Sequence, residues 1–474
     1  MRPHLLLARF GSARRPPPPA GNGSEPVEGA LIVSRDGDDD GAGTLESPWR
    51  TLAHATTQAT PGDTIYLRGG YYDVVGTDTY LTGYPGTSLV FSGTEANPIT
   101  VRSYPSEWAI IDGANGSLHP RYLNDEKAEG GDAFLLRFVG EWVNWADLEF
   151  RNSHGYGFGV TSRNCSYKNI VHQRNNQHAF YSQSRYCVFE DNISVDNYNL
   201  PSGGNAGNGF VNVTGSQIGN QWTGEVAGDC EWRRNISVAN SDDGITAANT
   251  KNNLFEHNVT MLNGRGPSGD GNGYKMGLAS TTETNNVFRF NIAYNNRANG
   301  FDTNTSQGVL AHNNTAFRDA AAGTGFVLTR ISHDESDNTA HNNIVVGFNN
   351  RRTVGSLTTH THNVGSPDPW RDTGGVNEID NLGAFTTEEL AMLSTDPTHA
   401  NFAKLGESSL ARGAGTAGTG FSTDLGAIPY GTEFAGGWDW QAKVAQYPTA
   451  GENLTTTEFV DGADREVMVL LPQA

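Results

Sequence analysis

The sequence predicts an all-β protein built as a right-handed parallel β-helix, a solenoid of stacked turns with a short capping helix at its N-terminal end. Two recurring phrases predict this fold. One is Asn followed by a β-branched residue, with the Asn at positions 169, 192, 235, 258, 291, 314 and 343. The other is Gly followed by a bulky apolar residue, with the Gly at positions 157, 209, 244, 273, 300 and 325. A period of roughly 20 to 30 residues, with no helical pattern in between, is typical of a solenoid.

These residue types follow from the stacking of similar turns, because an inward side chain packs against its counterpart one turn away. The bulky residues are therefore expected to form one inward column: Phe158, Phe180, Phe210, Ile245, Tyr274, Phe301 and Phe326. The recurring Asn is expected at a tight bend, where its amide bonds backbone groups and the Asn of neighbouring turns. Cys165, Cys187 and Cys230 are expected inside as reduced thiols, with a disulfide between adjacent turns as the alternative.

The composition agrees with a turn-rich solenoid and argues against some partners. The chain has 474 residues, of which 58 are Gly, and 36% are hydrophobic. That length alone would allow several domains, but a solenoid grows by adding turns. The net charge of −20 argues against nucleic acid as a partner and favours solubility. We expect a rigid, elongated monomer.

The two ends of the chain differ from its repetitive middle. Residues 1–28 are basic and proline-rich, and we expect a disordered leader or a misassigned start. Their apolar stretch is too short for a signal peptide or a membrane span, and we expect no other segment to cross a bilayer. Residues 29–430 are expected to form the β-helix, and residues 431–474 a tail along its side. The stretch from Ser47 to Gly62 carries helix start and stop signals and would cover the open N-terminal end.

Three phrases in the middle of the chain are more specific than the repeat. They are Ser241-Asp242-Asp243-Gly244, Gly271-Asn272-Gly273-Tyr274-Lys275-Met276-Gly277 and Asn299-Gly300-Phe301-Asp302. The series resembles polysaccharide lyase family 9, the calcium-dependent pectate lyases, from about residue 30 to residue 430. The resemblance implies an extracellular enzyme that cleaves an acidic, pectate-like polysaccharide by β-elimination. It also implies that Lys275 is the catalytic base and that Asp242 and Asp243 bind Ca²⁺.

Two positions depart from the family pattern. The family has an Asp two residues after the Gly of the Asp-Asp-Gly phrase, where this chain has Thr246, and another one turn earlier, where it has Asn208. Ca²⁺ prefers about six to eight oxygen ligands, and its affinity follows their charge. A metal site made of Asp242, Asp243, Asn208 and Thr246 is therefore expected to bind Ca²⁺ weakly.

The repeat register groups the same residues independently of the family. Side chains alternate in and out along a strand, and stacked turns lie about 4.8 Å apart. If the residue after each Gly points inward, the next residues form an outer row: Val211, Thr246, Lys275, Asp302 and Val327. The residues before each Gly form a start row: Asn208, Asp243, Asn272 and Asn299. The candidates for substrate binding are Asp302, Asn272, Arg297 and Arg330.

Elimination from a uronate removes the weakly acidic proton next to the carboxylate, and the base must be neutral while it works. A nearby metal ion would lower the pKa of a Lys base and stabilise the developing enolate. The structural alternatives are a surface Lys275 paired with Asp302 and an Asp-Asp-Gly phrase that only caps a turn. The functional alternatives are a lyase for alginate or a glycosaminoglycan, a hydrolase, and a non-catalytic carbohydrate-binding or adhesive β-helix.

Overall fold

The computed structural model describes residues 25–73, 89–113, 134–153, 155–199, 203–214, 226–277, 285–304, 306–317, 326–327, 338–347, 359–366, 382–447, 454–460 and 466–472. Over these residues the chain forms three long parallel sheets, and successive turns contribute a strand to each. This is the predicted parallel β-helix.

The order of the strands along each sheet follows the order of the turns. Sheet A contains β1 (Leu31–Val33), β2 (Thr64–Leu67), β5 (Ile99–Ser103), β8 (Val143–Ala146), β11 (Ser166–Lys168), β14 (Val188–Glu190), β17 (Glu231–Arg233), β20 (Leu254–Glu256), β23 (Val287–Arg289), β26 (Leu310–His312), β29 (Thr339–His341) and β31 (Thr359–Thr361). Sheet B contains β3 (Gly70–Asp73), β6 (Ala109–Asp112), β9 (Leu148–Arg151), β12 (Val171–Gln173), β15 (Ile193–Val195), β18 (Ile236–Val238), β21 (Val259–Met261), β24 (Ile292–Tyr294), β27 (Thr315–Phe317), β30 (Ile344–Val346), β32 (Val364–Ser366) and β33 (Gly383–Ala384). Sheet C contains β4 (Leu89–Val90), β7 (Phe134–Glu141), β10 (Tyr156–Arg163), β13 (Phe180–Arg185), β16 (Phe210–Val213), β19 (Ile245–Ala248), β22 (Tyr274–Met276), β25 (Phe301–Asp302) and β28 (Phe326–Val327).

Sheet C aligns the predicted inward column in register. Phe158 pairs with Phe180, and the pairing continues through each predicted member to Phe326. The side chains from Phe158 to Phe301 are at most 2% exposed. Their rings contact one another, as where Tyr274 stacks on Phe301 with 4.7 Å between ring centroids. Burial of each large apolar side chain contributes about 1.5–3 kcal/mol, so the column is a major part of the core.

A ladder of buried Asn side chains closes the corner between sheets A and B. Its members are Asn192, Asn235, Asn258, Asn291, Asn314, Asn343 and Asn363. Each Nδ2 donates to the Oδ1 of the next Asn at 2.8 to 3.0 Å. Each Oδ1 after the first also accepts the backbone N–H of the preceding member. The predicted stacking of amides is confirmed, and Asn363 extends it beyond the last predicted member.

The assignment of Asn169 to this ladder is wrong by one residue. The backbone N–H of Ile170 donates to Asn192 Oδ1 at 2.9 Å, so Ile170 holds the ladder position. Asn169 stands just before it in a left-handed backbone conformation, with φ of 53°, which Asn adopts more readily than most residues. Its side chain donates to Asp147 instead.

The other two corners are closed in a similar way. Between sheets B and C runs a second amide ladder, with members Asn175, Asn197, Asn240, Asn263 and Asn296. At the corner between sheets C and A the three cysteines take the equivalent position, where the N–H of Cys165 donates to Cys187 Sγ at 3.4 Å. The N–H of Cys230 donates to Asn253 Oδ1, so thiol and amide share one column. All three cysteines are free and buried, as predicted.

The N-terminal helix begins later than predicted. Helix α1 spans Leu52–Gln58, and the Thr51 side chain caps it by accepting the N–H of His54. The Ser47-Pro48 phrase is not its start, because Trp49 is held in an extended segment that bridges to Val33 of β1. Leu52 and Ala55 of the helix pack in the core beside β1.

The C-terminal part of the chain contains further short elements. These are α2 (Thr387–Leu390), a 3₁₀ turn (Phe434–Gly436), α3 (Trp440–Ala445), and the antiparallel pair β34 (Leu454–Val460) and β35 (Glu466–Pro472). Trp440 packs in one hydrophobic cluster with Ile236 and Val238 of sheet B. The regular strands of the β-helix continue to β33.

The predicted boundaries after residues 28 and 430 remain predictions, and residues 1–24 lie outside the described residues. None of the described helices is long and apolar enough to cross a membrane.

The outer face of sheet A carries a row of alternating charge. Its members face one another in register: Lys168, Glu190, Arg233, Glu256 and Arg289. Ion pairs join Lys168 to Glu190 at 2.7 Å and Arg289 to Glu256 at 2.6 Å. Ion pairs at a protein surface contribute only about 0–1 kcal/mol each to stability.

The core of this fold is expected to be sensitive to acid at His172. The ring lies between Phe150 and Phe180, with centroid distances of 5.6 and 5.2 Å. Burial lowers the pKa of His172 to about 3. Below pH ~6.5 the unfolded chain therefore binds a proton at this imidazole, and the folded chain does not. The folded state therefore loses about 2 kcal/mol from this group by pH 5.

We expect His172→Phe to remove this part of the pH dependence while keeping an aromatic ring between Phe150 and Phe180. Thermal unfolding of both proteins between pH 8 and pH 5 measures it. The melting temperature of the variant should fall less than that of the native protein. Parallel curves would show that His172 does not contribute.

Candidate active site

The predicted outer row lies in register on sheet C. Val211 is opposite Thr246, Thr246 opposite Lys275, and Lys275 opposite Asp302 on consecutive strands. Each member follows a residue of the inward column, so its side chain points away from the core. The row therefore brings Thr246, Lys275 and Asp302 onto one outer face.

The predicted start row is a hydrogen-bonded ladder with one charged rung. Asn208 Oδ1 accepts the N–H of Asp243 at 3.2 Å. Asp243 Oδ1 accepts both the backbone N–H and the Nδ2 of Asn272, at 2.7 and 2.9 Å. Asn272 Oδ1 then accepts the same two groups of Asn299. Asp243 Oδ1 thus accepts the bonds that an Asn Oδ1 would accept in this row, and Asp243 Oδ2 takes no part in the row.

That second oxygen faces Lys275. The distance from Lys275 Nζ to Asp243 Oδ2 is 3.5 Å, and the Lys275 side chain is only 14% exposed. Lys275 Nζ also donates to Asp270 Oδ2. Asp302 accepts instead from Asn304 N and Asn299 Nδ2. The ammonium therefore pairs with Asp243 and Asp270, and the alternative of a surface lysine paired with Asp302 does not describe this site.

The electrostatics of the site favour protonated groups, because the carboxylates are buried and several of them surround one ammonium. Burial, opposed by Lys275 and reinforced by Asp242, raises the pKa of Asp243 to about 7. Burial also raises the pKa of Asp242 and of Asp302. Burial would lower the pKa of Lys275, but Asp243 and Asp270 outweigh it and hold that pKa above its ordinary value.

Most of the oxygens expected to hold Ca²⁺ already accept hydrogen bonds from neighbouring groups. Asp242 Oδ1 accepts the N–H of Asp270 at 2.6 Å, and its Oδ2 accepts the N–H of Ala206 at 2.9 Å. Thr246 Oγ1 accepts from Asn208 Nδ2 at 3.0 Å. Over the described residues, no group of three or more acidic, His or Cys side chains is arranged to hold a metal ion. The four predicted ligands lie together, and only two of them are carboxylates, so the predicted calcium site stays a prediction.

The predicted substrate-binding residues have different surroundings. Asn272 is a buried rung of the start row, and Asp302 lies beside Lys275 in the outer row. The guanidinium of Arg297 donates to the carbonyl of Gly266, so it supports a neighbouring loop. Arg330 lies outside the described residues.

Asp270 is the residue at this site that the sequence analysis missed. It precedes the Gly271-Asn272-Gly273 phrase, in the loop that lengthens the turn between Asn258 and Asn291. Its side chain is 62% exposed. An acidic residue five positions before the candidate base, in an inserted loop, was the available signal.

The chain matches a family model described as "Pel9A-like, right handed beta helix region" over residues 31–343. Among curated relatives, pectate lyase PEL9 of Emericella nidulans is 29% identical over 362 residues, which are 69% of this chain and 77% of the relative. Pectate lyase L of Paenibacillus polymyxa is 25% identical over 64% of this chain and 69% of the relative.

Solved structures show the same fold. That of pectate lyase Pel9A has a TM-score of 0.63 and 18% identity, and covers 85% of this chain and 97% of the other. A rhamnogalacturonan lyase has a TM-score of 0.60 and 16% identity, and covers 89% and 99% of the two chains.

We expect Ca²⁺ to bind the native protein weakly, with a dissociation constant of about 10⁻⁴ M or higher, because few free charged oxygens are offered. The double variant Asn208→Asp, Thr246→Asp should bind at least about tenfold more tightly, since two carboxylates are added. Titration calorimetry with calcium chloride, in the absence of substrate, measures both values. Submicromolar affinity in the native protein would contradict this ligand analysis.

Proposed function

Because the chain belongs to the family of Pel9A-like right-handed β-helices, as the sequence resemblance predicted, we propose that it is a polysaccharide lyase that cleaves a pectate-like uronate polymer by β-elimination. Two relatives that match 69% and 64% of this chain are named pectate lyases, and this supports that substrate class. A polymeric substrate of this kind implies that the protein acts outside the cell.

The observation that carries the proposal is the position of Lys275. This amine points outward from a rigid sheet and is largely shielded from water, and one buried carboxylate orients it. It is also the residue that matches the base of the family in the Gly-Asn-Gly-aromatic-Lys phrase. A base fixed on a strand is held more precisely than one on a loop, and precise placement is what proton abstraction needs.

The proposed reaction breaks one C–H bond and one C–O bond and forms one carbon–carbon double bond. Lys275 Nζ takes the proton from the carbon next to the uronate carboxylate, and the electron pair of that C–H bond forms a carbon–carbon double bond. The glycosidic C–O bond on the adjacent carbon breaks, and the departing oxygen takes a proton from solvent. In the free protein the two carboxylate partners keep Lys275 as an ammonium, so substrate binding must disturb these pairs before the amine can act.

Where Ca²⁺ binds, Asp242 and Asp243, with Asn208 and Thr246, would hold it, and it would stabilise the negative charge that develops on the uronate carboxylate. The charge balance has a separate consequence for binding. A chain with a net charge of −20 repels a polyanion, so we expect dissolved cations to aid binding by screening that repulsion.

We expect Lys275→Ala to lower turnover on polygalacturonate by about two or more orders of magnitude, which is the usual effect of losing a general base. Lys275→Arg should be nearly as inactive, because a guanidinium stays protonated. The rise in ultraviolet absorbance from the unsaturated product measures turnover, and it also distinguishes a lyase from a hydrolase.

Lys168→Ala is the matched control, since it removes an outward lysine from sheet A, far from the site in the fold. It should keep native activity, and all three variants should keep the native melting temperature to within a few degrees. Near-normal elimination by Lys275→Ala would refute the assignment of the base. If the native protein cleaves no uronate polymer, the carbohydrate-binding alternative takes the place of the lyase.

A further inference from the structure

The two carboxylates that contact Lys275 differ in their surroundings. The Asp243 side chain is 2% exposed and is fixed in the start row, whereas the Asp270 side chain is 62% exposed. One partner is therefore part of the scaffold, and the other approaches the ammonium from the solvent side. A substrate that reaches Lys275 from solvent meets Asp270 first.

The backbone that carries Asp270 is held in place by several contacts. The N–H of Asp270 donates to Asp242 Oδ1, and the carbonyl of Gly271 accepts the N–H of Ala298 at 2.8 Å. Gly271 has φ of 78°, and a Cβ added there would lie 2.9 Å from Arg297 Cβ, so only Gly fits. Because the backbone is anchored on both sides of Asp270, the group that is free to move is its side chain.

We propose that the Asp270 carboxylate occupies, in the free protein, the place beside Lys275 that the uronate ring enters, and that substrate displaces it. The proposal rests on the proposed function, because the ligand is the same uronate polymer. Asp270 thus acts as an internal competitor for the site.

The energetic consequence follows from the population of the open site. When a site is open for only a fraction of the time, the apparent affinity for its ligand falls by that fraction. The carboxylate of Asp270 also repels a carboxylate of the substrate at short range. Both effects weaken binding, and neither requires a change in the chemical step.

The test compares the native protein with Asp270→Asn, which keeps the size of the side chain and the backbone bond to Asp242. We expect the KM for polygalacturonate to fall by about 3- to 10-fold, while kcat stays within about 3-fold. Asp270→Glu restores the competing anion, and its KM should return toward the native value. Glu231→Gln makes the same change in net charge on the outer face of sheet A, where Glu231 pairs with Arg233, and should leave KM unchanged.

A KM for Asp270→Asn that is unchanged or raised, or lowered equally by Glu231→Gln, would overturn the proposal. Titration calorimetry with trigalacturonate provides a second measurement that needs no turnover. If the native protein cleaves no polymer but Asp270→Asn still binds the trisaccharide more tightly than the native protein does, the proposed lyase function fails and the competition at Asp270 stands. If no variant binds the trisaccharide, the proposal for Asp270 fails too.

Discussion

The structure depends on how its corners satisfy buried polar groups. A turn of this solenoid bends sharply three times, and each bend takes backbone N–H and C=O groups out of the regular sheets while keeping them away from water. An unpaired buried group of this kind costs about 1–3 kcal/mol. The two Asn ladders and the column that begins with Cys165 pair these groups with side chains of the adjacent turns. The corners therefore hold successive turns in register, and the apolar columns inside depend on that register.

The candidate site is built on a similar ladder of side chains, in which an Asp takes the place of one Asn. The start row bonds like the other ladders, but Asp243 replaces an amide nitrogen by a second carboxylate oxygen, and that oxygen faces Lys275. The regular turns of the β-helix thus hold the carboxylate of Asp243 at a buried position beside Lys275. Its electrostatic cost appears in the pKa of Asp243, which burial raises to about 7. Lys275 is in turn oriented by a residue that cannot move without breaking a ladder.

Periodic features were predictable from the sequence, and features set by contacts between distant segments were not. The inward column, the outer row and the start row all follow from a repeat of similar turns, so their registers agree with prediction. Asn169 was misplaced because the Asn phrase repeats after 23 residues, from Asn169 to Asn192, whereas the turn itself has 22 residues, from Ile170 to Asn192. The start of α1 was missed because Trp49 bonds to β1, a contact that helix signals do not encode. Asp270 was missed because it lies in an inserted loop whose path depends on Asp242 and Arg297.

The alternating row on sheet A has a consequence for how a chain of similar turns finds its register. Turns that resemble one another invite errors in which one turn is skipped and the next but one is paired. In the native order each member from Lys168 to Arg289 faces an opposite charge, whereas skipping one turn would bring Lys168 against Arg233 and Glu190 against Glu256. Like charges directly opposite are destabilising. The row therefore adds little to the stability of the native protein, but it destabilises a chain in which one turn has been skipped.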